Sequence, residues 1–471
     1  MSGLIYQEIF KFLNKKEITL IGLGRSNLEV AKILDKFGID FNVCDVRLKI
    51  SDLNLKKSKV KFNLGANYLK RLKGDLIFRS PVVSCHCEEL NKAKKRGALV
   101  TSESELFFRF CPCNICGVTG SDGKTTVTTL IYEILKNASQ DVFIGGNIGF
   151  PLLPLFENLK RTSIVVAELS SFQLISMRKS PKFSVITNIS PNHLDIHKDF
   201  SEYIFSKFNA LFYQNENDFA ILNYEDEILR SISKKIKSNV RFFSSKRKVK
   251  GVWLDENGFI ILSLNNEDIY LIHRSELKIP GKHNLENFMA AVCTCSCMMD
   301  IKNIIHAIKI TAENFSGVEH RIEFVCENDG VKFYNDSIAS SPTRTIKGAL
   351  SVFDAKNVIL IAGGYNKKLS FEEFGNEICQ KVKVLILIGN SAPEIRKAVM
   401  SSEFIEKPLI FNANSMKEAV FLSNKNAKKG DVVLLSPACA SFDMYKNFEE
   451  RGNDFKNEAK ACARKLLNIN L

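Results

Sequence analysis

A chain of 471 residues, 45% hydrophobic and with a formal net charge of +14, is long enough for three domains of ordinary size, each with its own core. Charges interrupt every apolar run well short of the ~18 residues that a membrane-spanning helix needs, and no secretory apolar segment opens the sequence. A cytoplasmic protein without membrane insertion is therefore the expectation. The basic residues are spread along the chain, and the densest run, Lys246-Arg247-Lys248-Val249-Lys250, lacks the interleaved aromatics of a nucleic-acid groove. That pattern argues against nucleic acid as a partner and for small anionic substrates.

Three successive α/β patterns follow one another, over residues 1–112, 113–316 and 317–471. The fold class read from them is α/β, with an N-terminal Rossmann-like domain, a central P-loop ATPase-like domain and a C-terminal Rossmann-like domain. In the first, a strand at Ile18-Thr19-Leu20-Ile21 runs into Gly22-Leu23-Gly24-Arg25-Ser26-Asn27 and an amphipathic helix, and the next strand ends at Asp45. This is an incomplete dinucleotide fingerprint, because Asn27 stands where the third glycine would allow close helix–strand packing. An NAD(P) dehydrogenase is one reading of it. The broader reading is a helix N-terminus facing a phosphate-bearing ligand.

The thirteen cysteines form an odd set in a chain with no small secreted domain, so reduced thiols are expected. Cys111-Pro112-Cys113-Asn114-Ile115-Cys116 has no second Cys/His pair at zinc-finger spacing and reads as a strand entering a core. Cys293, Cys295 and Cys297 read as small, close-packed positions of a helix.

The central pattern carries the phosphate chemistry. Gly117-Val118-Thr119-Gly120-Ser121-Asp122-Gly123-Lys124-Thr125-Thr126 follows a strand and opens a helix. Gly120 and Gly123 let backbone N–H groups wrap phosphates, Lys124 reaches the β/γ-phosphates, and the Thr125 hydroxyl can hold Mg²⁺. Two further strands end at Glu168 and before His193. Ligands of parallel α/β sheets sit beyond the carboxyl ends of strands, so both residues are expected on the side of the phosphate loop. Residues 257–270 read as a local antiparallel patch turning at Asn265-Asn266. In the last pattern, strands are expected at 358–362, 384–388 and 432–435.

These motifs, together with Glu168-Leu169-Ser170-Ser171-Phe172-Gln173, Thr187-Asn188-Ile189-Ser190-Pro191-Asn192-His193-Leu194-Asp195, Gly281-Lys282-His283-Asn284-Leu285-Glu286-Asn287 and Ser436-Pro437-Ala438-Cys439-Ala440-Ser441-Phe442-Asp443, resemble the Mur ligase family over essentially the whole chain. Within that family, residues 170–173 and 436–452 are most similar to the branch that adds D-glutamate. The resemblance implies an ATP-dependent amide ligase of peptidoglycan synthesis. Its partners would be ATP, UDP-N-acetylmuramoyl-L-alanine and D-glutamate, it would use two Mg²⁺ ions, and a monomer is expected.

The resemblance also assigns residues. Gly24, Arg25 and Ser26 would lie near the substrate diphosphate, Asp45 and Arg47 near the uracil, and Asn147 near the sugar-peptide part. Gly120, Ser121, Asp122, Gly123, Lys124, Thr125 and Thr126 would hold ATP, with Asn284, Asn287, Arg321 and Asp336. One Mg²⁺ would lie between Thr125, Glu168 and the phosphates, and a second would be held by His193 and a carbamylated Lys207. Ser340, Lys367, Ser441, Phe442 and Phe448 would hold D-glutamate. The catalytic set is then Lys124, Glu168, His193 and Lys207. The chain departs from common family residues at Val82, Asp122, Asn192 and Ile338. The implied chemistry is an acyl phosphate made from the substrate carboxylate and ATP, attacked by the amine of D-glutamate. Domain closure would keep water away from it.

Overall fold

The computed structural model describes residues 2–50, 53–70, 72–191, 197–264, 267–353, 356–366 and 369–467, with side chains described over 3–462. The chain divides into two compact units. One comprises Met1–Glu276 and His283–Glu313, the other Leu277–Lys282 and Asn314–Leu471.

Among the described residues, the first unit holds two sheets. The N-terminal sheet contains β1 (Ile18–Ile21), β2 (Phe41–Asp45), β3 (Val60–Leu64), β4 (Leu76–Arg79) and β5 (Leu99–Thr101) in the order β3-β2-β1-β4-β5, and every pairing is parallel. β1 and β4 are buried along their whole length. That is why apolar residues occupy both faces of each, with only Thr19 and Arg79 polar, rather than alternating with polar ones.

The second sheet contains β6 (Asn114–Thr119), β7 (Val142–Gly146), β8 (Ile164–Glu168), β9 (Phe183–Ile186), β10 (Phe219–Asn223), β11 (Asn239–Ser244), β12 (Gly251–Leu254), β13 (Phe259–Leu264) and β14 (Glu267–His273), in the order β14-β13-β12-β11-β10-β9-β6-β8-β7. Pairing is parallel as far as β12 and antiparallel from β12 through β14. The expected antiparallel patch is thus the far edge of a larger sheet, and its turn residues Asn265 and Asn266 lie outside the described residues. One core joins the two sheets. Ile9, Leu13, Val30 and Leu34 of the first pack in the same cluster as Phe107, Phe156, Val165 and Leu174. At some 25 cal/mol per Å² of apolar surface removed from water, such burial is the main favourable term.

The second unit carries β15 (Glu323–Asn328), β16 (Val331–Asn335), β17 (Val358–Gly363), β18 (Val382–Ile388), β19 (Leu409–Asn412) and β20 (Val432–Leu435) in the order β15-β16-β20-β17-β18-β19. Only β15–β16 is antiparallel. Separate apolar clusters cover its two faces, as a doubly covered parallel sheet requires. The fold is therefore α/β throughout.

Candidate active site

In the second sheet β6 lies between β8 and β9, so its carboxyl end is flanked by theirs. The turn after β6 is the phosphate loop. Gly120 has φ 147°, and a Cβ there would stand 1.9 Å from Thr187 Oγ1, the residue following β9. Gly123 has φ 78°, and a Cβ there would meet Asn287 Oδ1 at 2.3 Å. Both conformations strain an L side chain. Helix Lys124–Asn137 starts at once after Gly123, so its unpaired N–H groups and positive dipole end face the loop. The loop is braced from the β9 side. Asp122 N donates to Asn188 Oδ1 (2.9 Å), Ser121 N to the Asn188 carbonyl (2.9 Å), and Ser190 N to Ser121 Oγ (2.8 Å). Asp122 itself is exposed. Lys124 Nζ curls back onto the carbonyls of Ser121 (2.7 Å) and Gly120 (3.0 Å).

Glu168 ends β8 in register with Val118 of β6 and Gly146 of β7. Its carboxylate is buried. One oxygen accepts from Asn147 Nδ2 at 2.6 Å, and the other has no hydrogen-bond partner. A buried carboxylate oxygen left unpaired beside a phosphate loop is costly in isolation and suits a cation. Asn147, assigned by resemblance to the sugar-peptide part, thus directs its amide to Glu168.

Lys207, on helix Phe200–Phe208, is buried; its Nζ donates to the Gly120 carbonyl at 2.7 Å and sits 4.5 Å from the centroid of the Tyr203 ring. Burial pushes its pKa down to about 6. Tyr203 in turn shares a hydrogen bond with Ser121 Oγ at 2.8 Å. Asn284 and Asn287 are buried on helix Lys282–Met298, with Asn287 against Gly123. His193 lies outside the described residues. Lys124, Thr125, Glu168, Lys207 and Asn287 are therefore gathered around one loop.

Sequence reasoning passed over several neighbours. His197 shares a hydrogen bond with Ser171 Oγ (2.9 Å), pairs with Glu202 (3.4 Å) and stacks on Phe172 at 5.1 Å. Ser170 and Gln173 form a capping box on helix Ser171–Leu174, and Gln173 Nε2 donates to Ser104 Oγ. The Ser-Ser-Phe-Gln run is in part a structural device. Arg79 donates from Nη2 to the Phe172 carbonyl at 2.7 Å.

In the N-terminal sheet, Asp45 accepts from Leu23 N (2.7 Å) and pairs with Arg47 (2.8 Å); the Arg47 hydrogen bonds hold its carboxyl down at about 2. It fixes the Gly22–Gly24 turn from below while Arg25 and Ser26 open helix Arg25–Phe37. Asn27 corrects an expectation. It does not loosen the helix–strand contact but is buried, its Nδ2 donating to the carbonyls of Ile21 (3.0 Å), Gly22 (2.9 Å) and Phe78 (3.2 Å).

In the second unit, Asp336 follows β16 fully buried. It accepts from Ser436 Oγ at 2.7 Å, and burial pushes its carboxyl up to about 7 against the pull of Arg321 and Arg344. Arg451, also buried, donates to the carbonyls of Ser337 (2.8 Å), Cys439 (3.1 Å) and Ala440 (3.2 Å). It thereby holds the segments that carry Ser340 and Ser441 together. Ser441 is buried, Phe442 exposed, and Phe448 packs edge-on against His320. Lys367 lies outside the described residues.

Comparison with known proteins matches this architecture. Residues 16–102 match the Mur ligase MurD-like N-terminal domain, 118–295 the Mur ligase middle domain, and 320–439 the Mur ligase glutamate ligase domain. A protein of Clostridium botulinum (strain Kyoto / Type A2) named UDP-N-acetylmuramoylalanine--D-glutamate ligase is 44% identical over 455 residues, 95% of this chain and 97% of its own. One of the same name from Clostridium tetani is 45% identical over 465 residues, 96% and 98% of the two chains. The solved structure of UDP-N-acetylmuramate-alanine ligase from Thermotoga maritima shares the fold at TM-score 0.55 and 17% identity, covering 95% of this chain and 100% of that one. So does that organism's MurF ligase in complex with ADP, at TM-score 0.55 and 18% identity, with 95% of each chain covered. The chain belongs to the Mur ligase family.

Proposed function

We propose that the chain is an ATP-dependent amide ligase that joins D-glutamate to UDP-N-acetylmuramoyl-L-alanine in peptidoglycan precursor synthesis. The observation that carries this reading is the 44–45% identity, over 95–96% of the chain, to relatives named for that activity. The chemistry gathered around residues 120–126 agrees with it.

A carboxylate does not condense with an amine at neutral pH, because hydroxide is a poor leaving group. Transfer of the γ-phosphoryl group of ATP to the substrate carboxylate gives an acyl phosphate. The D-glutamate amine then attacks the acyl carbon, and phosphate leaves. Such transfers need positioning and charge neutralisation more than covalent help. Lys124 and the N–H groups of residues 120–126 bind the β/γ-phosphates, and Asn284 and Asn287 serve the nucleotide. Arg321 and Asp336 are proposed nucleotide contacts as well.

The residues fit Mg²⁺. Glu168 offers a buried, unpartnered oxygen, and Thr125 offers its hydroxyl at the helix start. Bound there, Mg²⁺ would neutralise charge between phosphate and carboxylate. Asn147 orients Glu168 for that role. Lys207, its amine made neutral near pH 7 by burial, is suited to take up CO₂ and become an oxygen ligand for a second Mg²⁺, with His193. Gly24, Arg25, Ser26, Asp45 and Arg47 serve the UDP moiety. Ser340, Lys367, Ser441, Phe442 and Phe448 serve D-glutamate. A monomeric enzyme of the cytoplasm completes the proposal.

The test is product formation from ATP and UDP-N-acetylmuramoyl-L-alanine against a panel of amino acids. D-Glutamate is expected to yield amide, ADP and phosphate, and L-glutamate none, because the wrong enantiomer leaves charged groups unpaired. Equal use of both enantiomers, or preference for another amino acid, overturns the assignment.

A further inference from the structure

Cys111 and Cys113 flank Pro112 on the short link between helix Glu103–Phe110 and β6. Cys111 leaves the helix in extended backbone, φ −61° and ψ 124°. On an extended chain, side chains two apart point to the same side, and here the sulfurs meet: Sγ to Sγ is 3.6 Å, and Cys111 Sγ also donates to the Cys113 carbonyl at 3.6 Å. Both thiols are only partly buried, whereas Cys116, Cys293 and Cys295 are sealed in strand or helix. Cys293 also meets a neighbour, Cys297, one turn along its helix, but it has no exposed surface. Among the described residues no third His, Cys, Asp or Glu joins the Cys111–Cys113 pair to make a metal-binding group. The pair therefore offers thiol chemistry rather than a metal cage.

We propose that Cys111 and Cys113 form a redox-modification site, a dithiol that closes to an intramolecular disulfide when oxidised by a small-molecule disulfide. The Cys111 thiolate attacks one sulfur of RSSR, a protein–SR bond forms, and one RS⁻ leaves to be protonated. Cys113 then loses its proton and attacks the Cys111 sulfur; the Cys111–Cys113 bond forms and the second RS⁻ leaves. Two thiols are oxidised by two electrons and RSSR is reduced to two RSH.

Geometry favours the second step over escape of the mixed disulfide. A disulfide bond of about 2 Å asks the sulfurs to close by roughly 1.5 Å from their 3.6 Å contact. Only one residue separates the two, and its ring already fixes one backbone angle between them, so little chain entropy is lost. The order of attack follows from the same contact. The hydrogen bond from Cys113 holds the Cys111 thiol below the usual range, and the nearby Lys179 charge adds to it; the Cys113 thiol is pushed up correspondingly. Lys179 is itself held close by its hydrogen bond to the Phe108 carbonyl at 2.7 Å. Closure would mark the one segment that leads from the N-terminal sheet into the strand carrying the phosphate loop.

The test uses the reduced full-length protein in graded mixtures of glutathione disulfide and glutathione, followed by alkylation of remaining thiols and mass mapping of all thirteen cysteines. The peptide holding residues 111–113 is expected to escape alkylation first, with the loss of two hydrogens, and to recover with dithiothreitol. Cys113→Ser is expected to stop at a glutathione mixed disulfide on Cys111, because the thiol that would resolve it is gone, and Cys111→Ser is expected to leave Cys113 unable to form the intramolecular bond. The wild-type map decides the matter even where a variant folds poorly. Alkylation of both Cys111 and Cys113 under conditions that oxidise other cysteines overturns the proposal, as does capture of either in a stable mixed disulfide in the wild type.

Discussion

Lys207 Nζ donates to the carbonyl of Gly120, the first glycine of the phosphate loop, at 2.7 Å. The lysine is buried, and the Tyr203 ring it stands over is tied to Ser121 of the same loop. An ammonium in that position would repel both Lys124 and any divalent cation. A carbamate would attract them.

Activity should therefore depend on CO₂. Removing CO₂ and bicarbonate is expected to lower the rate several-fold, and restoring bicarbonate to recover it. Lys207→Ala should lose roughly 10²–10³-fold, the scale of deleting one preorganised electrostatic group. Steady-state rates in degassed buffer, with and without added bicarbonate, measure this. An unchanged rate sinks the carbamate.

Glu168 and Asn147 should separate in kind. Glu168→Gln keeps the volume and can still pair with Asn147 but removes the charge. It is expected to cost roughly 10²-fold in kcat or more and to raise the Mg²⁺ concentration required. Asn147→Ala frees a carboxylate that stays charged, so about tenfold is expected. Mg²⁺ titrations of both variants make the comparison, and equal Mg²⁺ dependence in wild type and Glu168→Gln removes Glu168 from the metal site.

Much of this site was legible beforehand, because the phosphate loop is contiguous and its chemistry is set by residue type and spacing. The strands at 164–167 and 432–435 were legible because near-complete burial writes itself as unbroken apolar runs, and at 18–21 only Thr19 interrupts one. What stayed hidden depends on pairs distant in sequence. Arg79 meets the Phe172 carbonyl across 93 positions, and Arg451 braces the Ser337 carbonyl across 114. His197 drew no reading from the sequence, because its partner Ser171 lies 26 positions away. Asn27 looked like a lost glycine, although it replaces close packing by three hydrogen bonds.

That replacement is testable. Asn27→Ala removes a donor shared by three carbonyls, those of Ile21 and Phe78 in buried contacts, and should destabilise by roughly 1–3 kcal/mol, with the nucleotide-loop chemistry of residues 120–126 untouched. Chemical denaturation compares the variant with wild type, and an unchanged midpoint shows that the three contacts carry no stability.

Glu103 supplies a pH signature. It is fully buried, accepts from Leu152 N and Leu153 N, and burial pushes its carboxyl up to about 7 from an ordinary value of 4.5. The folded state thus holds its proton where the unfolded chain has lost it, and stability falls as pH rises from about 4.5 to 7. Glu103→Gln has no such proton. Its stability relative to wild type should rise by about 3 kcal/mol across that window and stay level above it. Melting both proteins from pH 4.5 to 8 measures the difference, and parallel pH profiles would contradict it.

The central claim is that amide formation passes through an acyl phosphate made from the substrate carboxylate. The most direct measurement follows an oxygen atom. UDP-N-acetylmuramoyl-L-alanine labelled with ¹⁸O at both oxygens of its carboxylate is turned over with ATP and D-glutamate, and the released phosphate is weighed by mass spectrometry. One ¹⁸O atom in phosphate for each amide formed is the predicted result, since the oxygen that accepts the γ-phosphoryl group leaves with it. Unlabelled phosphate alongside normal amide yield would contradict the account.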